Sequence, residues 1–148
     1  MAELEVDSLC GAFQATVARE PDTVALRTPG GAVEITWSQY AERVRRIAAG
    51  LAALGVRRGD TVGLMMGNRP EFHLCDTGAM HLGAAPFSVY NTLPADQVRH
   101  VFGNAGNKVV ICEARYLDTV REAGVHAVMT YRPVVVLGSF WNTDGKVA

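Results

Sequence analysis

The chain is short of cysteine, of net charge and of long apolar runs, and each shortage removes a class of protein. Its three cysteines, Cys10, Cys75 and Cys112, are odd in number, widely spaced and without a C-x-x-C pair, so they signal neither a disulfide framework nor a zinc knuckle. A reducing, cytoplasmic setting is the expectation. A formal net charge of -1 over 148 residues makes no electrostatic case for nucleic acid or for an acidic membrane surface. No apolar run nears the length of a transmembrane segment; the longest, around VVVLGSF, lies between Arg132-Pro133 and Asn142. The opening MAELEVDS is acidic where a secretion signal would be basic.

Glycine-rich nucleotide fingerprints are missing too. No G-x-G-x-x-G triplet of the dinucleotide type occurs. In GLMMGNRPEF, Gly63 and Gly67 have the glycine spacing of a Walker-type loop, yet Asn68 and Arg69 stand where that loop needs Lys and Ser or Thr. A capped strand-to-helix turn is the better reading of this stretch, although amides at such a turn are a ready anion site.

What is present fits one domain with a single core: 49% hydrophobic and 20% charged residues over 148. There is no internal repeat, no low-complexity segment and no inter-domain linker. VALRT and VEITW flank Pro29, Gly30 and Gly31, which predicts a β-hairpin. Thr36 and Gln39 form a T-x-x-Q capping box, so a helix should start at Trp37. Its apolar residues Tyr40, Val44, Ile47, Ala48, Leu51 and Leu54 fall on one helical stripe, and Gly55 suits a left-handed cap.

TVGLMM lacks a solvent-facing alternation, which predicts a strand covered on both faces and therefore a parallel sheet. A helix over residues 70–82 should open either with Pro70 at its first position or with an Asn68/Glu71 capping pair, and close at Gly83. APFSVY is a second strand; Val98, Val101 and Phe102 mark a third helix ended by the turn formers from Gly103 to Asn107. KVVIC is a third strand, followed by a helix over about residues 115–123 with Leu117 and Val120 inward and Gly124 as its cap. Repeated strand and helix make the expected fold class α/β, a parallel βαβ sheet with helices on its faces, preceded by the hairpin. VHAVMT and PVVVLGSF read as two short strands, or as one strand and a slack end.

His73, Asp76 and His81, with Cys75 between them, are metal-ligand types on one predicted helix. Their spacing rotates His81 about 80° away from His73, so satisfied or exposed side chains are the simpler reading. Cys10, in DSLCGAF, reads as a buried small residue on a short N-terminal helix. Arg43, Arg45, Arg46, Arg57 and Arg58 read as a solvated face offset by Glu42 and Asp60. From the residues alone the reading ends at a soluble α/β domain.

ITWSQYAERVRRIAAGLAALGVRRGDTVGLMMGNRPEF, followed by AMHLGAAPFSVYNTLPADQVRHVFGNAGNKVVI, resembles the N-terminal region of the adenylate-forming enzymes, most closely their acyl-CoA synthetase (fatty-acid–CoA ligase, AMP-binding) branch. The matching pieces are the helix start at Thr36, the L-x-x-L-G-V-x-x-G-D turn from Leu51 to Asp60, the N-R-P-E-F helix start and the G-A-x-P-F-S-V-Y-N-T-L strand exit. The resemblance is strongest over residues 20–124 and fades over 125–148, so that residues 1–148 are expected to be a partial N-terminal subdomain of a larger fold.

The resemblance implies ATP- and magnesium-dependent activation of a fatty acid, long-chain by similarity, to an acyl-adenylate, then transfer to coenzyme A. It also implies what these residues lack. The family's phosphate loop, of the type Y-T-S-G-T-T-G-x-P-K-G, does not occur, nor do the later nucleotide-binding segments or the C-terminal domain with its catalytic lysine. The expectation is a truncated or split reading frame, inactive alone, with no catalytic, cofactor-binding or metal-binding residue to assign and no cofactor of its own. A complementary C-terminal chain, or self-association through an exposed sheet edge, is the expected partnership. A non-catalytic interaction module, and a small-molecule site near Asn68, Asn91 and Glu113 at the strand ends, are the competing readings.

Overall fold

A computed structural model describes residues 6–125, 127–131 and 134–138. Helix α1 (Leu9–Arg19) opens on Ser8, whose hydroxyl accepts from the Gly11 amide at 3.1 Å. Strands β1 (Val24–Arg27) and β2 (Glu34–Thr36) pair antiparallel across a single turn at Pro29–Gly31. Helix α2 (Trp37–Ala53) begins at the capping box: Gln39 N donates to Thr36 Oγ1 at 3.3 Å, and Thr36 N donates to Gln39 Oε1 at 3.1 Å. Gly55, at φ +87°, ends it in the left-handed conformation that the sequence predicts.

Strand β3 (Thr61–Met65), helix α3 (Pro70–His81), strand β4 (Ala85–Ser88), helix α4 (Ala95–Ala105), strand β5 (Val109–Glu113) and helix α5 (Leu117–Glu122) then alternate. Strands β6 (Ala127–Tyr131) and β7 (Val134–Gly138) complete a sheet of order β4-β3-β5-β7-β6. The first three strands are parallel, as expected; β7 joins β5 antiparallel and β6 joins β7 antiparallel. The tail is therefore a strand pair on the same sheet, the first of the two forms expected for it.

β3 is covered on both faces. Val62, Leu64 and Met66 lie with Val109 and Ile111 against Leu51 of α2 and Cys75 and Ala79 of α3. Met65, Val110 and Cys112 face Val98 and Phe102 of α4 and Val120 of α5. A third cluster, Ile35, Tyr40, Val44 and Leu74 with Phe13 and Trp37 packed on it, fastens the hairpin and α1 to the α2–α3 pair. Full burial of each such aliphatic side chain contributes about 1.5–3 kcal/mol, more than helix propensity supplies. The helices are held by the sheet they cover.

One open alternative is decided and three local expectations change. α3 takes the Pro70 opening: Arg69 is its cap with no side-chain capping bond, and Glu71 pairs with Arg69 instead of Asn68. α4 runs through Gly103 and Asn104 and stops at Gly106, φ +56°, because Val98 and Phe102 anchor it to the sheet. The final helix is shorter, one 3-10 turn at Ala114–Tyr116 preceding α5. Cys10 is only half-buried, since α1 lies at the periphery and contributes no fully buried residue.

At the outer margin of the sheet, Ala85 N donates to Asp60 O and Val89 N to Leu64 O, both at 2.8 Å. Amides alternate between sides along a strand, so position 86 faces away from β3, and it is a proline.

Candidate functional site at the carboxyl edge of the parallel strands

In open α/β sheets ligands sit beyond the carboxyl ends of the strands, where successive connections leave to opposite faces. β3 leads into α3 on one face, whereas its neighbours β4 and β5 lead into α4 and α5 on the other. Two crevices therefore flank the β3 exit. The first is lined by Met66, Gly67, Asn68, Phe72, His73 and the Ser88–Asn91 turn, with Tyr90 81% exposed at its rim. The second lies between the β3 and β5 ends, lined by Gly67, Asn68, Arg69, Glu71, Glu113 and Arg115, with Thr28 and Val33 of the hairpin alongside.

Glu113 is the last residue of β5 and only 6% exposed. Its Oε1 accepts from the Gly67 amide and from Arg115 Nη2 at 3.1 Å. Its Oε2 accepts from Arg69 Nη1 at 3.3 Å and lies 3.0 Å from Arg115 Nε. Burial works to raise this carboxyl, but the Gly67 amide and the guanidinium groups of Arg115 and Arg69 outweigh it and hold it below the ordinary glutamate range. Arg69 is shared: its Nε lies 2.7 Å and its Nη2 3.1 Å from the two Glu71 oxygens, a forked pair that holds Glu71 low as well.

Gly67 makes room for this approach. A Cβ there would stand 3.0 Å from Arg115 Nη2 and 3.1 Å from Glu113 Oε1. The glycine of GLMMGNRPEF thus serves a carboxylate of the same chain. Gly63, the other glycine of the Walker-like spacing, lies inside β3 with Phe102 and Phe87 over it.

Of the three small-molecule candidates, Asn91 lines the first crevice, Asn68 lines both, and Glu113 lies in the second with both oxygens engaged. The metal-ligand types on α3 are dispersed. His73 sits at the rim of the first crevice, Cys75 is buried, and His81 is at the far end of the helix. His81 Nδ1 donates to Thr77 O at 2.8 Å, leaving Nε2 to accept from Gln14 at 3.0 Å. Among the described residues no three His, Cys, Asp or Glu side chains gather into a metal site. Arg43, Arg45, Arg46, Arg57 and Arg58 are exposed, and Asp60 accepts from the Arg57 amide at 2.7 Å and pairs with Lys108 at 3.5 Å. Sequence reasoning missed Arg115, and it missed that Glu113 binds Gly67. The available signal was an acidic residue closing the apolar run KVVICE.

Three parallel strands with helices on both faces and two crevices at one edge define an open α/β domain. The chain belongs to the AMP-binding enzyme family, whose profile matches residues 13–144. Uncharacterized protein Rv1549 of Mycobacterium tuberculosis is 64% identical over 118 residues, 80% of this chain and 67% of that protein. The long-chain-fatty-acid–CoA ligase FadD13 of the same organism is 35% identical over 111 residues, 73% of this chain but 22% of the ligase. Among solved structures, the N-terminal domain of FACL13 from Mycobacterium tuberculosis superposes with a TM-score of 0.74 at 29% identity, covering 78% of this chain and 30% of that domain. The chain thus corresponds to the N-terminal region of the acyl-CoA ligase fold and spans about a fifth of the FadD13 length.

Proposed function

We propose that these 148 residues are the N-terminal scaffold of a fatty-acid–CoA ligase and do not adenylate an acid by themselves. The observation that carries this reading is the commitment of the Gly67 amide to Glu113. The glycine turn nearest in form to a phosphate cradle has given its donor to a carboxylate, and Glu71 and Glu113 neutralise the adjacent Arg69 and Arg115. ATP phosphates with magnesium do not fit such a site, whose described residues offer them neither an unpaired cation nor an amide cradle. In the complete enzyme, ATP, magnesium and coenzyme A would be held by segments outside these residues, which would give scaffold and one wall of the side that takes a long-chain acid. The three thiols are unpaired, which suits a cytoplasmic setting. No helix among the described residues is long and apolar enough to cross a membrane.

ATP–pyrophosphate exchange tests the proposal. The purified chain should give no fatty-acid-dependent exchange, and mixing it with a polypeptide carrying the remaining family segments should restore exchange if the two form a split synthetase. Exchange by the chain alone overturns the inactive-scaffold reading.

A second reading, a non-catalytic interaction module, is favoured by one specific observation. The 118 residues shared with Rv1549 already make up 67% of that protein, so a close relative is itself a short chain. Stable capture of a ligase-type polypeptide without any gain of exchange supports that reading over the split enzyme.

A further inference from the structure

We propose that the Gly67 amide, Arg69 and Arg115 form a built site for one small carboxylate, which the chain fills with its own Glu113 as a latch across the β3–β5 crevice. Four donor contacts converge on the two oxygens of a single buried group. Arg115 approaches as a planar fork, Nη2 toward Oε1 at 3.1 Å and Nε toward Oε2 at 3.0 Å, the geometry in which guanidinium recognises a carboxylate. The Gly67 amide completes Oε1 and Arg69 Nη1 completes Oε2. The approach is close enough that a Cβ at position 67 would crowd both the carboxylate and the fork.

Location gives the contact its consequence. β3 and β5 end beside one another, their following helices depart to opposite faces, and the crevice between them is where this class of sheet receives a ligand. Here the anion comes from 46 residues along the same chain. It joins the β3–α3 turn to the end of β5 across one side of the crevice. Among the described residues, the charged groups that line the crevice with Glu113 are Arg69 and Glu71 from the β3–α3 joint and Arg115 from the turn after β5; the hairpin lines it with Thr28 and Val33. Among these described groups, two arginines against Glu71 leave one net positive charge when Glu113 is withdrawn, which suits a monoanion such as formate or acetate. This holds independently of the reaction the family domain serves.

Chemical rescue of Glu113→Ala in the full chain is the test. Formate at tenfold excess over its Kd should raise the Tm of E113A by about 4 °C, and sodium chloride at equal ionic strength should not. Wild type and Glu113→Gln, whose side chains already fill the space, should show no such rise. Adding Arg115→Gln to E113A should abolish the rescue. If E113A does not fold, its refolding yield with formate against chloride is the readout, with a formate-specific gain expected. An absent formate effect on both melting and yield, or an equal effect in wild type or E113Q, overturns the proposal.

Discussion

The Tyr40 hydroxyl lies 2.7 Å from Thr77 Oγ1 and 3.1 Å from the His73 carbonyl oxygen, joining α2 to α3 beneath the surface. Since Tyr40 and Thr77 are buried, removing the hydroxyl strands a polar group away from water. Tyr40→Phe should cost about 1–2 kcal/mol, read as a lower urea midpoint with an unchanged m-value.

The same helix pair meets at a glycine. A Cβ on Gly78 would lie 2.8 Å from Ile47 Cγ2, too close for either helix to absorb without moving. Gly78→Ala gains up to about 1 kcal/mol of helix propensity and loses about 1–3 kcal/mol to overpacking, so a net loss of stability is expected. Adding Ile47→Ala should make the two changes non-additive, with the Gly78→Ala penalty shrinking in that background. Equal penalties in both backgrounds, measured by chemical denaturation, would place the strain elsewhere.

Acid should unfold the chain through the second crevice. Glu113 and Glu71 are held below their ordinary values. Their stabilisation is therefore fully present above about pH 4.3, the unfolded glutamate value, and is lost as pH falls through their folded values. Asp76, raised by burial, works the other way, because its protonated form is the one the fold prefers. Urea midpoints measured between about pH 6 and pH 3 should fall for wild type and fall less for Glu113→Gln. Parallel curves would remove Glu113 as a source of the acid sensitivity.

Thiol chemistry should separate the three cysteines. Cys10 is half-buried, whereas Cys75 and Cys112 are buried, their thiols pushed up to about 12 and about 11 by desolvation. A thiol reagent at neutral pH should modify Cys10 first and reach the other two only on unfolding. Rapid modification of all three in the native chain would contradict the packing of β5 and α3.

Much of this architecture was legible because local signals agreed. Thr36 with Gln39, the stripe from Tyr40 to Leu51 and Gly55 each pointed to α2, and the unbroken apolar run of TVGLMM pointed to a strand covered on both sides. Where signals competed, tertiary contacts decided. Gly103 lies inside α4 because Val98 and Phe102 pack on the sheet, and that packing outweighs a propensity penalty of about 1 kcal/mol. The Glu113–Gly67 contact was not legible, since it depends on β3 and β5 being neighbours while β4 intervenes in the chain. Periodicity reports which face a residue takes, and says nothing about which strand will stand beside it.

The proline at position 86 bears on how this chain keeps company with other copies of itself. An unprotected outer strand templates growth by backbone pairing, and on β4 one of the two outward positions has no N–H to give. At this margin, encounters between molecules fall more to side chains such as Tyr90 at the carboxyl rim. Growth by strand addition at the β4 margin is therefore disfavoured, and any pairing through this edge should be short and reversible.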